Sequence, residues 1–241
     1  MKQPEEKTFS RQNFIPSSGE FKAVLKVGGS LGKGGNLELL CRTLHDLANN
    51  FRLLVVPGGG LAADLVREYD RRFGLTDDAA HWMAIIAMDQ YGLLLADKID
   101  RARAVTNLED AAMVAKDGRL PVILPYAMLR AEDPLPHCWQ VTSDSIAAWI
   151  GLRAGVRELV LLKSVDGLYP EDATPPHSRS KVLIREITLS QLAGWSGVDP
   201  FLARLIADNS LGLWIINGTK PERLEALLLK GEANGTRLNL S

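Results

Sequence analysis

The sequence predicts an α/β fold, a three-layer sandwich in which helices cover both faces of a mainly parallel central sheet. Three observations predict it. Short apolar runs recur along the chain and alternate with segments of helical apolar spacing. Several of these runs are continuously apolar rather than alternating, which fits strands buried on both faces. Two of them end in glycine clusters, Gly28-Gly29 and Gly58-Gly59-Gly60, each set between a predicted strand and a predicted helix.

Phe21 to Val27 (FKAVLKV) reads as the first strand, stopped by Gly28-Gly29. Asn36 to Leu47 carries apolar residues at 37, 39, 40, 44 and 47, the stripe of a half-buried helix. Phe51 to Val56 is a strand ended by Pro57 and the three glycines. Helices follow from about Leu61 to Arg72 and from about Asp78 to Ile99. Pro121 to Leu124 is a short buried strand, and Thr142 to Leu152 a helix behind a polar cap. Glu158 to Lys163 and Gly212 to Ile216 are strands, and Pro221 to Leu229 is a short helix with proline in its first turn. Tyr169 to Ser180 carries three prolines and reads as an exposed loop or hairpin.

The 241 residues are 46% hydrophobic, enough to bury a sizeable core. Residues 1–19 are polar and read as a flexible extension without the apolar core of a signal peptide. Residues 20–241 read as one large domain or two tightly joined lobes. A formal net charge of -1, with no basic stripe, argues against nucleic acid as a partner. No apolar run approaches the roughly 18 residues of a membrane span. Cys41 and Cys138 lack the spacing of a zinc site and read as buried thiols in a reducing cytosol, so a cytoplasmic location is expected.

Two glycine turns one βα unit apart aim backbone N–H groups and helix N-termini into a common crevice, as phosphate binding requires. Glycine suits such turns because a side chain would block close approach of phosphate oxygens, and because positive φ is often needed. Neither familiar phosphate signature applies. Lys33 follows Gly32, but Gly34 stands where a Walker A loop needs Ser or Thr, and Gly28, Gly29, Gly32 and Gly34 do not make G-x-G-x-x-G. Lys26, two residues before the first glycine, is placed to neutralise charge on a transferring phosphoryl group.

The segments LKVGGS (25–30), VVPGGG (55–60), TSDSIAAWIGLRAG (142–155), LVLLKSVDGLYP (159–170) and INGTKPERLEALLLKGEANGTRL (216–238) resemble, in this order, those of the amino acid kinase superfamily. The resemblance implies that superfamily's fold, with an acceptor-side lobe at about 20–140 and a nucleotide-side lobe at about 141–241. It implies an ATP-dependent kinase, with Mg²⁺ entering as the ATP complex and no metal site of protein ligands, and a homo-oligomer. Lys26 matches the lysine that stabilises the transferring group, and Gly28, Gly29 and Ser30 match the loop around the nucleotide's phosphates. Gly58, Gly59 and Gly60 match the loop that holds the acceptor, with Thr142 on the same side. Asp144 resembles the aspartate that orients the catalytic lysines, and is expected also to cap its helix. Ser164, Asp166, Gly167 and Tyr169 resemble the nucleotide-side segment.

One departure is clear. Many members carry a second catalytic lysine in a Gly-Met-x-x-Lys segment, where this chain reads Gly197-Val198-Asp199-Pro200-Phe201. Lys163 is the candidate substitute. For the acceptor, Leu61-Ala62-Ala63 stands where uridylate kinases place an arginine. The stretch His81 to Gly92 is most similar to the subgroup that phosphorylates aminomethylfuran phosphate, which makes His81, Met88 and Asp89 candidates for the acceptor pocket. A small phosphate monoester is therefore the expected acceptor; it is already ionised, so no strong general base is needed. The alternatives are a carboxylate kinase and a non-catalytic nucleotide-binding protein on the same fold.

Overall fold

The computed structural model describes residues 20–34, 37–170, 182–195 and 197–239. The expected extension at 1–19 and most of the expected loop at 169–180 lie outside these residues. Among the described residues the strands are β1 (Ala23–Val27), β2 (Leu53–Pro57), β3 (Ala102–Val105), β4 (Leu120–Ile123), β5 (Glu158–Lys163), β6 (Glu186–Ile187), β7 (Gly212–Asn217) and β8 (Gly235–Leu238). The helices are α1 (Leu37–Ala48), α2 (Gly60–Phe73), α3 (Asp77–Lys98), α4 (Leu108–Lys116), α5 (Tyr126–Glu132), α6 (Ser143–Arg153), α7 (Leu189–Ala193), α8 (Pro200–Asn209) and α9 (Glu222–Lys230).

All strands join one sheet in the order β3-β4-β2-β1-β5-β7-β8-β6. Its pairs are parallel except β7 with β8, so the expected mainly parallel sheet is present. The central strands are apolar apart from a few positions such as Lys26, because both faces are covered: all five residues of β1 and all five of β2 are buried. Side chains alternate across the sheet. Ala23, Leu25, Val27, Val160 and Leu162 join the core layer beneath α1 and α9. Val24, Leu159 and Leu161 join the layer beneath α6 and α8.

This alternation settles where the two strand-end lysines point. Lys26 is two residues beyond Val24, and Lys163 two beyond Leu161, so both emerge on the α6 side. Their strands are neighbours, with Lys26 opposite Leu161 in register. From β1 the chain lays down β2, β3 and β4 on one side, then crosses to β5 on the other. The crevice beyond the carboxyl ends of β1 and β5 is therefore a topological switch point, where open α/β sheets bind ligands.

Several elements were absent from the sequence reading. β3 (ARAV) is a half-exposed edge strand without a continuous apolar run. β8 is short and pairs antiparallel. α4 and α8 did carry start signals: Asn107 accepts from the Asp110 N–H, and Asp199 from the Leu202 N–H with Pro200 next in the chain.

Candidate active site

The two glycine turns pack on each other. The Gly28 N–H donates to the Leu162 carbonyl at 2.9 Å, and the Gly58 N–H to the Val27 carbonyl at 2.8 Å, which ties both turns to the strand ends. A Cβ on Gly29 would lie 2.3 Å from the Gly60 nitrogen, and one on Gly58 would lie 2.6 Å from the Gly29 nitrogen. Gly60 also adopts φ +58. Close packing of backbone on backbone thus requires glycine here independently of any ligand.

Below the turns, Asp144 forms ion pairs with two lysines. Lys26 Nζ lies 2.8 Å from one carboxylate oxygen and Lys163 Nζ 2.7 Å from the other. Lys163 also donates to the Gly197 carbonyl at 2.8 Å. Asp144 and Lys26 are buried, and Lys163 is half-buried. Burial would raise the Asp144 carboxyl, but the two ammonium groups outweigh it and hold the group below its ordinary value. Burial is also the main influence on Lys26, and with the Lys163 charge it lowers that ammonium despite the pull of Asp144. Two lysines thus converge on one carboxylate at the floor of the crevice.

The expectation that Asp144 caps α6 does not hold. Thr142 is the N-cap, its hydroxyl accepting from the Asp144 N–H, so the carboxylate is spared for the lysines. Asp199 holds this arrangement from beneath. Its carboxylate accepts from Thr142 N at 3.1 Å, Thr142 Oγ1 at 2.7 Å, Ser145 N at 2.9 Å and the Ser145 hydroxyl, and caps α8 through Leu202 N at 2.9 Å. Burial raises its carboxyl, and the nearby Asp144 charge adds to the rise. Asp199 lies in the segment that lacks the expected lysine, and its spacing just before Pro200 was the available signal.

A cleft of about 590 Å³ opens above these groups. Lys26, Gly28, Gly29, Ser30, Gly59, Gly60, Thr142, Asp144, Lys163 and Ser164 all border it, so most of the residues singled out in the sequence converge. Ser30 and Ser164, from the turns after β1 and β5, touch at 3.3 Å. Lys33, Asp64, Arg67 and Trp139 border it too and were not anticipated.

Other candidates stand apart from the cleft. Asp166 binds Asn217 at 2.7 Å and pairs with Arg223 at 2.9 Å and Lys220 at 3.3 Å, fastening its turn to the end of β7 and the start of α9. The Asn217 hydrogen bond, then the two cations, hold its carboxyl below the ordinary value. Gly167, at φ +148, packs against Thr236, where a Cβ would come within 2.6 Å of the hydroxyl oxygen. Tyr169 is half-buried.

His81 and Met88 line a smaller adjoining pocket of about 60 Å³. The His81 ring stacks on His137 at 4.1 Å between centroids. Asp89 is not among the residues of that pocket. It accepts from the Tyr126 N–H at 3.1 Å, and burial pushes its carboxyl up to about 6, with that hydrogen bond opposing the rise. Cys41 is buried as expected, whereas Cys138 is only half-buried and lines the same pocket. Among the described residues no cluster of His, Cys, Asp and Glu is arranged to hold a metal, and no helix is long and apolar enough to cross a membrane.

Residues 22–207 match the amino acid kinase family. The [5-(aminomethyl)furan-3-yl]methyl phosphate kinase of Methanocaldococcus jannaschii is 29% identical over 205 residues, covering 85% of this chain and 92% of that protein. The uridylate kinase of Methanoregula boonei is 23% identical, covering 87% of this chain and 92% of that protein. The uridylate kinase structure from Archaeoglobus fulgidus superposes with a TM-score of 0.68 at 23% identity, covering 90% of this chain and all of the other, which shows a shared fold.

Proposed function

The chain belongs to the amino acid kinase family and is a phosphotransferase, and from that premise we propose that it moves the γ-phosphoryl group of ATP onto an oxygen of a small phosphate monoester. The observation that carries this reading is the Asp144 carboxylate held between Lys26 and Lys163 at 2.8 and 2.7 Å beneath two glycine turns. It answers the missing Gly-Met-x-x-Lys lysine: a second ammonium group reaches the same carboxylate from β5. The similarity to a furan-phosphate kinase, which covers 85% of the chain, supports a phosphate monoester such as aminomethylfuran phosphate as acceptor.

In this reading Ser30, Ser164, Gly28 and Gly29 hold the nucleotide's phosphates, and Gly58, Gly59, Gly60, His81 and Thr142 border the acceptor. Asp166, Gly167 and Tyr169 shape the nucleotide side, with the division between sides near residue 140. Lys26 and Lys163 offer N–H donors where charge accumulates on the transferring group, and Asp144 fixes both before the substrates arrive, so little reorganisation is needed at the moment of transfer. The acceptor is already anionic, and no proton has to be removed by the protein. The donor set fits Mg²⁺ only as part of the nucleotide complex, where it supplies neutralisation of phosphate charge. We also propose a cytoplasmic homo-oligomer. Its support is the apolar strip Leu61, Leu65, Tyr69 and Phe73 exposed along one side of α2.

The test is ADP formation with ATP, Mg²⁺ and a panel of phosphate monoesters, with glutamate and aspartate as carboxylate acceptors. Turnover with a monoester is the expected result. Turnover confined to the carboxylates, or ATP binding without transfer to any acceptor, would overturn the proposal.

A further inference from the structure

The cleft and the smaller pocket meet along one strip of side chains. Gly59, Ala63, Arg67, Trp139, Thr142 and Ser143 border both. Gly59, Ala63 and Arg67 are four residues apart, so α2 presents them in a row from the second glycine turn outward. Arg67 is the cation at the junction. Its guanidinium lies over the Trp139 ring, 5.3 Å from the centroid. The indole N–H of Trp139 donates to Asp70 at 2.7 Å, so α2 fixes the ring on which its own arginine rests. Among the described residues, Nη1 of Arg67 bonds Asp64 at 3.2 Å, and that carboxylate also pairs with Lys33.

A planar cation held on an aromatic face is pre-organised for bidentate contact with phosphate oxygens. Its position suits the acceptor's phosphate and not the nucleotide's. The cleft on one side holds Lys26 and Lys163, where transfer would occur. The pocket on the other side has Ala80, Ala84, Ile85, Met88, Val141 and Ile146 in its wall. Its volume of about 60 Å³ holds roughly four to six water-sized groups at about 10–15 Å³ each. That is room for a single small ring or short chain. A ribose bearing a base exceeds it.

We infer that Arg67, seated on Trp139, grips the acceptor's phosphate and admits phosphate monoesters of compact, single-ring bodies while turning away nucleoside monophosphates. This rests on the phosphate-monoester reading above and adds the residue that selects within it. Uridylate kinases place an arginine directly after the glycine turn; here the cation comes from two turns into α2 and faces a pocket of different shape.

Steady-state kinetics with furfuryl phosphate, benzyl phosphate and uridine monophosphate, in the wild type and in Arg67→Ala and Arg67→Lys, test it. Losing charge-assisted hydrogen bonds to phosphate should raise the furfuryl or benzyl phosphate KM about 10- to 100-fold in Arg67→Ala. The ATP KM should stay within about two-fold, and Arg67→Lys should recover part of the loss. An acceptor KM unchanged in Arg67→Ala, with the wild type active, overturns the role of Arg67 and leaves the kinase reading standing. A wild type that prefers uridine monophosphate overturns the selection for compact bodies. Absence of turnover and of calorimetric binding for all three phosphates, with ATP still bound, overturns this inference together with the phosphate-monoester reading.

Discussion

Replacing Asp144 by Asn removes one negative charge and little volume. In the folded protein that charge lies 2.8 Å from Lys26 Nζ and 2.7 Å from Lys163 Nζ, and Asp144 and Lys26 are both buried. Without it, two ammonium groups face each other with no counter-charge between them. Breaking a buried ion pair by removing one partner costs about 3–5 kcal/mol, and the loss is capped by the free energy of deprotonating Lys26 instead. The pH dependence distinguishes these routes. Lys26 already has a folded value below its ordinary 10.5, from burial and the Lys163 charge. Between the folded value and 10.5 the unfolded chain binds more protons than the folded one, so this group makes stability rise with pH through that window. Asp144→Asn removes the main influence opposing the depression, so the window widens downward and the slope persists to lower pH. Denaturant melts at pH 7 should show the 3–5 kcal/mol loss, and a pH series should show the extended slope. kcat should fall about 100- to 1,000-fold as the donors lose their placement or charge. A variant within about 1 kcal/mol of the wild type, with unchanged kcat and an unchanged pH slope, would refute the reasoning.

Lys163→Met should lower kcat about 100-fold or more while leaving the protein folded, since Lys163 is half-buried at the cleft; unchanged turnover in single-turnover assays would remove it from the mechanism. Gly29→Ala places a methyl 2.3 Å from the Gly60 nitrogen and 2.6 Å from its Cα, and rigid backbone cannot give way cheaply, so denaturation should show a loss of about 1–3 kcal/mol. Asp89 has a folded value of about 6 against an ordinary 3.8, so its contribution to stability is present below about 4 and is lost as pH rises through about 6. Asp89→Asn keeps an acceptor for the Tyr126 N–H and should flatten that part of the pH–stability curve, which titrated melts between pH 4 and 7 will show.

The α/β class was legible in the sequence alone, because strands buried on both faces must be largely apolar, and β1, β2, β5 and β7 each carry an apolar run. The first two βα turns were legible in the same way as candidates for phosphate binding, since their glycines follow strand ends directly. Elements that pack by caps and edges were less legible. β3 and β8 are short edge or antiparallel strands, and α8 announces itself only through Asp199 and Pro200. Lys163 was legible as a candidate and nothing more. Its approach to Asp144 depends on β1 and β5 being neighbours and on residue parity placing Lys26 and Lys163 on the same face. Tertiary structure alone decided that convergence, along with the role of Asp199 under α6 and the seating of Arg67 on Trp139. In each case the partners lie far apart in the chain, at separations of 19, 57 and 72 residues. Local spacing carries no information about such contacts; sheet order and helix packing create them.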